Sequence, residues 1–254
     1  DWKRLDRELD RGDYDVCLMS GFAMQVWAMR EVTRRIRDRS PRTKVVILCS
    51  PHNPAGTIIH AEAFRRFAER LGSDPPLLVL DEAYRDFVDD PQCVDGIALL
   101  REHPTLIVLH TFSKISGLAG LRVGYAVARP QAVSMLNRAR APYNVNRLAQ
   151  VAAVAALEDR EHRERTRRLV IEERGFLTGE LRRLRLAVVP SQANFLLVNV
   201  GGRAAALRDA LLKEGILVRD GGAVGFPGHL RITVGTRETN ARLVKVVETT
   251  TPSP

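Results

Sequence analysis

Between residues 44 and 128 the chain alternates short apolar runs with longer stretches of helical periodicity. The runs cover 44–49, 77–80, 105–110 and 122–128. They are continuous rather than alternating, the pattern of strands buried on both faces of a largely parallel sheet. Residues 61–71 place Phe64, Phe67 and Leu71 at helical spacing and predict a helix between the first two strands. From 130 to about 186 the apolar positions recur at three and four through a long charged stretch, until Pro190 and Ser191-Gln192 punctuate it. Smaller elements follow: strand 194–200, helix 203–214, strands 216–218 and 230–234, and a last helix from Arg237. Residues 1–20 give no pattern, and no internal repeat is present.

This order predicts the α/β class, with a largely parallel sheet and flanking helices over residues 1–160. A long connecting helix over 161–185 leads to a smaller C-terminal α+β domain over 186–248. The remainder, 249–254, reads Thr-Thr-Thr-Pro-Ser-Pro and is expected to be a disordered tail.

Composition narrows the function classes. The chain has 254 residues, 45% of them hydrophobic, room for one large domain with a small one. No run of 18 uninterrupted apolar residues occurs, so no membrane partner is expected, and the N-terminus lacks the apolar stretch of a signal peptide. Cys17, Cys49 and Cys93 are too few and scattered for a disulfide framework or a zinc site, so no metal is expected and a cytoplasmic location is the simplest. The formal charge of +9 raises nucleic acid as a partner. The basic residues are nearly all Arg, spread along helical stretches without interleaved aromatics, so solvated helix faces are the expectation and nucleic acid is not.

Four polar segments lie at predicted strand ends, where open α/β sheets bind ligands. In Ser50-Pro51-His52-Asn53-Pro54-Ala55-Gly56-Thr57, two prolines and a glycine make a rigid turn that holds the Asn53 amide, or simply an ordinary loop. His52 is expected to be structural. In Leu80-Asp81-Glu82-Ala83-Tyr84, Asp81 is either a helix cap or a ligand to something cationic, Tyr84 reaches the same crevice and Glu82 points outward.

The third segment is Thr111-Phe112-Ser113-Lys114-Ile115-Ser116-Gly117-Leu118-Ala119-Gly120-Leu121-Arg122-Val123-Gly124. Its lysine ends an apolar strand after two hydroxyls. The glycines at 117, 120 and 124 permit close backbone approach. Arg122 brings a planar fork suited to phosphate, to which Thr111 and Ser113 can also donate. A buried lysine beside cations has the lowered pKa that a Schiff-base lysine needs; a surface lysine with a buried stem is the plain alternative. The fourth segment pairs Val218-Arg219-Asp220 with Leu230-Arg231-Ile232, where an arginine in an apolar strand needs an anion, either a structural carboxylate such as Asp220 or a substrate.

Asn53-Pro54-x-Gly56, Asp81-x-x-Tyr84, Ser113-Lys114 with Gly-Leu-Ala-Gly-Leu-Arg122, and Leu230-Arg231 stand in the order of fold-type I aminotransferases that use pyridoxal 5′-phosphate (PLP), and the chain resembles them. Pro142-Tyr143-Asn144-Val145-Asn146, Ala193-Asn194-Phe195-Leu196 and the Arg219 and Arg231 segments are similar to the histidinol-phosphate aminotransferase branch. The resemblance runs from about residue 42 to 247.

It implies that residues 1–160 are part of a PLP-binding large domain. Lys114 would hold the cofactor covalently and shuttle a proton, and Asp81 would keep the pyridine nitrogen protonated. Asn53 and Tyr84 would bond the ring O3′, while Thr111, Ser113 and Arg122 would hold the phosphate. Arg231 would bind the substrate anion with help from Arg219, with Asn53 beside them. The implied reaction moves an amino group between histidinol phosphate or an aromatic amino acid and 2-oxoglutarate, in a cytoplasmic homodimer serving amino-acid biosynthesis. Relatives carry roughly a hundred further residues N-terminally, which implies a fragment or a truncated product. A threonine-phosphate decarboxylase, or the aminotransferase-like effector domain of a transcription regulator, would share the same constellation.

Overall fold

The computed structural model describes the backbone of residues 16–19 together with residues 44–72, 75–139 and 141–250. Its first sheet holds β1 (Val16–Met19), β2 (Val45–Cys49), β3 (Leu77–Asp81), β4 (Leu106–Thr111) and β5 (Gly124–Ala128), in that spatial order. β1 to β4 run parallel and β5 is antiparallel to β4. The expected largely parallel sheet is therefore present, with one strand added where the sequence shows no pattern and the last strand reversed. The reversal follows from the connection. Parallel strands need a long crossover, usually a helix, whereas here the Phe112 N–H donates to the Val123 carbonyl and a short 3-10 turn, Ala119–Leu121, brings the chain straight back.

Helix α1 (Ala61–Arg70) presents Ala63, Phe64 and Phe67 to the sheet, and the short α2 (Gly96–Leu99) adds Leu99. They meet Val46, Leu48, Leu78, Leu80, Leu106 and Val108, and each fully buried Phe contributes about 2–3 kcal/mol by leaving water. The expectation of strands buried alike on both faces is corrected. Burial alternates along β2 and β3, and Val45, Ile47, Cys49, Leu77, Val79 and Asp81, on the face away from α1, are half-buried. Alternation is the consequence of a pleated strand with α1 packed against one face.

The helical stretch after Pro130 breaks into α3 (Pro130–Ala139), α4 (Arg147–Glu158) and α5 (Arg160–Arg183). Side-chain caps set the later starts: Asn146 Oδ1 accepts from the Ala149 N–H at 2.8 Å, and Asp159 Oδ1 from the His162 N–H at 2.9 Å. The second sheet, order β6-β7-β9-β8, is antiparallel and contains β6 (Ala187–Val188), β7 (Phe195–Asn199), β8 (Arg219–Asp220) and β9 (His229–Thr233). With α6 (Ala204–Lys213) and α7 (Arg237–Thr250) it encloses Leu177 and Leu181 of α5 in a second core.

Two expectations shift here. The strand expected at 216–218 forms at Arg219–Asp220, because Ile216 and Val218 pack inward as an extended segment and the ladder begins only opposite β9. Of the tail expected over 249–254, Thr249 and Thr250 are helical, their hydroxyls donating back to the carbonyls of Lys245 and Val246, and 251–254 lie outside the described residues.

The two sheets meet at a polar junction. The Arg174 guanidinium, buried in α5, donates to the Phe87 carbonyl at 2.9 Å, to the Ala193 carbonyl at 3.2 Å and to Asp89 Oδ1 at 3.0 Å. Gln192 ties the same places together: its N–H donates to the Gly56 carbonyl at 2.8 Å, and its Oε1 accepts from the Asp89 N–H at 2.8 Å. Gly56 has φ +77°, and a Cβ there would run into the Ser191 side chain, so only glycine permits this closure. His52, in the same loop, is buried, and burial pushes its pKa down from 6.5 to about 4. A structural role, as expected for it, fits that position.

Replacing Arg174 by Met should cost about 3 kcal/mol, because two carbonyls and Asp89 lose their partner. That corresponds to a fall of roughly 6–12 °C in Tm; a Tm unchanged within 2 °C or so would show that the junction contributes nothing. For His52 the folded pKa lies below the unfolded one, so its neutral form stabilises the fold fully above pH 6.5 and this contribution is lost as the pH falls toward 4. The loss of Tm between pH 7 and pH 4.5 should accordingly be smaller in His52→Gln than in the parent, by differential scanning fluorimetry at each pH.

Candidate active site

The ends of β2, β3 and β4, with the start of β7 and the middle of β9, surround one region. Strand pleating decides which side chains enter it. Asp81 is paired with Cys49 on β2 and with Leu109 on β4, so it shares their face, the half-buried one away from α1. Thr111, two residues beyond Leu109, lies on that face too. Glu82 and His110 fall on the other.

Asp81 Oδ1 accepts from the Ala83 N–H at 3.0 Å. This is a local turn and not the helix cap that the residue type also suggests: the 3-10 turn that follows, Arg85–Phe87, starts from Tyr84 without a side-chain cap. The negative charge of Asp81 is felt by Cys49, whose thiol is raised to about 11, first by burial and then by this carboxylate. Past β4, Thr111 Oγ1 accepts from the Ser113 N–H at 3.0 Å, and the Gly117 N–H donates to the Lys114 carbonyl at 3.1 Å. These two turns fold the segment back on itself and present Lys114 half-buried at the strand end.

The Lys114 ammonium lies 5.1 Å from the centroid of the Tyr84 ring and faces no carboxylate among the described residues. Tyr84 meets Phe195 edge to face, with centroids 5.1 Å apart. The other partner of Phe195 is the Arg231 guanidinium, 4.3 Å from the ring centroid. Lysine and arginine from different sheets are thus joined through two rings, Lys114–Tyr84–Phe195–Arg231. Sequence reasoning does not single out Phe195 as a site residue. It appears there only inside the Ala193-Asn194-Phe195-Leu196 motif and as the first residue of an apolar run after polar Ser191-Gln192.

The choice between a structural carboxylate and a substrate for Arg231 is answered for one partner. Asp220 accepts from the Gly222 N–H at 2.7 Å and lies 3.6 Å from Arg208, so it is not the carboxylate of Arg231. Arg231 faces no carboxylate among the described residues and is placed directly opposite Arg219 in the β8–β9 ladder. Like charges at opposite positions repel. Burial lowers the Arg231 pKa, the neighbouring Arg219 lowers it further, and Tyr84 acts in the opposite sense. Two arginines thus lie side by side, one half-buried, and could together take an anion.

The remaining candidates stand apart from this line. Asn53 is exposed on its rigid loop. Arg122 adopts the left-handed region, φ 55°, and its guanidinium donates to the Ala119 carbonyl at 2.8 Å. A Cβ added at Gly117 or Gly120 would meet nothing within 4 Å among the described residues, so close approach of their backbone explains neither; at Gly124 a Cβ would meet the His110 carbonyl oxygen at 2.7 Å. Glu82 is the clear correction. It points inward and is buried, because its carboxylate finds the Gly96 N–H at 2.8 Å and His110 Nε2 at 2.9 Å.

The donor set suits an aromatic aldehyde bearing a phosphate. It offers an amine with no acid partner among the described residues, a carboxylate for a ring nitrogen, hydroxyls and an arginine for phosphate, and open space over two glycines. No three His, Cys, Asp or Glu side chains gather for a metal among the described residues, and no described helix is long and apolar enough to cross a membrane.

Comparison with known proteins identifies the family. Residues 11–247 match the family model for aminotransferase class I and II, so the match reaches some way N-terminal of the motifs near residue 42. The chain is 44% identical over 232 residues to a histidinol-phosphate aminotransferase of Symbiobacterium thermophilum, covering 91% of this chain and 61% of that protein. It is 48% identical over 204 residues to one from an Anaeromyxobacter species, covering 80% and 56% respectively. The crystal structure of the Sinorhizobium meliloti histidinol-phosphate aminotransferase in complex with pyridoxal 5′-phosphate superposes with a TM-score of 0.77 at 28% identity, covering 87% of this chain and 61% of that one. The chain spans about 60% of the length of the relatives it matches. It belongs to the aminotransferase class I and II family.

Proposed function

From this membership we propose that the protein is a PLP-dependent aminotransferase whose amino donor carries a phosphate, histidinol phosphate before an aromatic amino acid, with 2-oxoglutarate as acceptor. The observation that carries the choice of donor is the Arg219–Arg231 pair, two cations opposite one another with no carboxylate on Arg231 among the described residues. A phosphate dianion matches two guanidinium forks better than a single carboxylate does.

PLP, when bound, supplies the electron sink that makes the substrate Cα–H acidic. The residues of this chain do the rest. Lys114 would hold the cofactor through its aldehyde, and its Nζ would carry the proton at the substrate Cα. Asp81 would hold a proton at the ring nitrogen. Asn53 and Tyr84 would face the ring hydroxyl oxygen, and Thr111, Ser113 and Arg122 would hold the phosphate of the cofactor. Tyr84 also seats Lys114 on its ring face and rests on Phe195, which in turn supports Arg231.

We further assign residues 1–160 to the large domain, 161–185 to the connecting helix and 186–248 to the small domain, and we place a homodimer in the cytoplasm. The dimer reading is supported by α4, whose inward stripe is alanine, Ala149 and Ala153, while Leu148, Val151, Val154 and Leu157 lie exposed, Leu148 at 74%.

The full-length protein reconstituted with PLP should show the visible absorption band of lysine-bound cofactor, and Lys114→Ala should abolish it. Arg231→Ala should raise KM for histidinol phosphate by about 10²-fold, the loss of roughly 3 kcal/mol expected when a charged partner is removed, and Arg219→Ala by about tenfold. No band in the parent, or a band that persists in Lys114→Ala, would overturn the reading. Release of carbon dioxide in place of amino transfer would assign the site to a decarboxylase.

A further inference from the structure

Directly behind Asp81 and Thr111, on the opposite face of the sheet, lies a second polar cluster that the proposed reaction does not use. Its members are Glu82, His110 and Tyr125. Glu82 follows Asp81 and His110 precedes Thr111, and in the β4–β5 ladder His110 is paired with Tyr125 while Thr111 is paired with Gly124. Each member is therefore the immediate chain neighbour of a residue proposed to hold the cofactor, or is paired across the ladder with one that is.

The three side chains are linked in series. Tyr125 Oη lies 3.2 Å from His110 Nδ1, His110 Nε2 lies 2.9 Å from Glu82 Oε2, and Glu82 Oε1 accepts from the Gly96 N–H at 2.8 Å. Burial raises the Tyr125 phenol above its ordinary value, Asp86 and Glu82 act in the same sense and Arg163 opposes them, so the hydroxyl keeps its proton to donate. With Tyr125 donating to Nδ1, the His110 proton sits on Nε2 and points at Glu82. The Glu82 side chain is only 1% exposed, and a carboxylate so enclosed is held by its partners rather than by water. Its backbone is also engaged, the Glu82 N–H donating to the Leu109 carbonyl at 2.9 Å.

We propose that Glu82 is a positioning residue for the cofactor site: through His110 it locks the ends of β3 and β4 together, so that Asp81 and Thr111 project from the opposite face at a set separation. The inference rests on the reading of Lys114, Asp81 and Thr111 as that site. A side chain alternates faces along a strand, so a shift of either strand end moves the neighbour on the other face by the same amount. Supporting residues of this kind typically change affinity or activity 10–100-fold when removed.

The test uses the full-length protein, first freed of PLP and then titrated with it, reading the visible band for affinity and the melting temperature of the PLP-free form for folding. Glu82→Ala and His110→Ala should each raise the apparent Kd for PLP by about tenfold. The double variant should be no worse than either single one, because the two act as a unit. Glu82→Gln should restore affinity to within about twofold, since its carbonyl oxygen can accept from Gly96 and its amide can donate to His110 once the ring proton moves to Nδ1. Should Glu82→Ala not fold, Glu82→Gln and His110→Gln carry the comparison, and His110→Gln must still weaken binding. A lowered melting temperature with PLP affinity at the parent value would reduce Glu82 to a packing role and overturn the proposal. Multiplying losses in the double variant would do the same. A parent protein without the band would instead overturn the reading beneath it.

Discussion

The arrangement depends on one buried guanidinium. Arg174 reaches out of α5 to the carbonyl that ends the 85–87 turn, to the carbonyl just before β7 and to Asp89. Burial lowers its pKa, and the adjacent Asp89 counteracts this, keeping the group charged where it has left water. A planar fork can satisfy three acceptors at fixed angles, which an ammonium on a flexible stem cannot do as well. Because those acceptors belong to the segments following β3 and preceding β7, Arg174 sets the distance between the two sheets.

That distance is what makes a site. Tyr84 comes from the first sheet and Phe195 from the second, and their edge-to-face contact exists only if the junction closes. On one side of this ring pair sits Lys114, on the other Arg231. The amine proposed to work at the substrate Cα and the cation proposed to take the substrate anion are thereby separated by a rigid aromatic spacer rather than by mobile side chains. Gln192 and Gly56 reinforce the same closure from the Asn53 loop. Preorganisation of this sort reduces the ordering that substrate binding would otherwise have to supply.

The sheet supports the site from behind as well as from the front. Its pleat sends Asp81 and Thr111 one way and Glu82, His110 and Tyr125 the other. The sequence alone points Glu82 to solvent, because an acid next to a strand-end acid is commonly a surface residue. The partners that keep it inside, Gly96 and His110, are 14 and 28 residues away. No local pattern could show that they converge.

Local signals in the chain are enough for the elements and for the order of the chemistry. Periodicity places four strands of the first sheet and both cores because apolar spacing is a property of neighbours in sequence. The Asn53, Asp81-Tyr84, Ser113-Lys114-Arg122 and Arg231 motifs are legible because each is short, and the first three follow the end of an apolar strand while Arg231 stands out inside one. Where strand identity depends on a partner, local signals fall short: β1 and β6 leave no pattern of their own, the reversal of β5 is invisible, and the β8 ladder is expected three residues early. Tertiary structure alone decides that Phe195 joins the two halves, that Asp220 leaves Arg231 to Arg219 and that Arg174 is buried at the junction. Those facts depend on long-range closure, in which residues a hundred positions apart share one hydrogen bond, as Asp89 and Gln192 do. A sequence records which residues are neighbours along the chain; only packing decides which become neighbours in space.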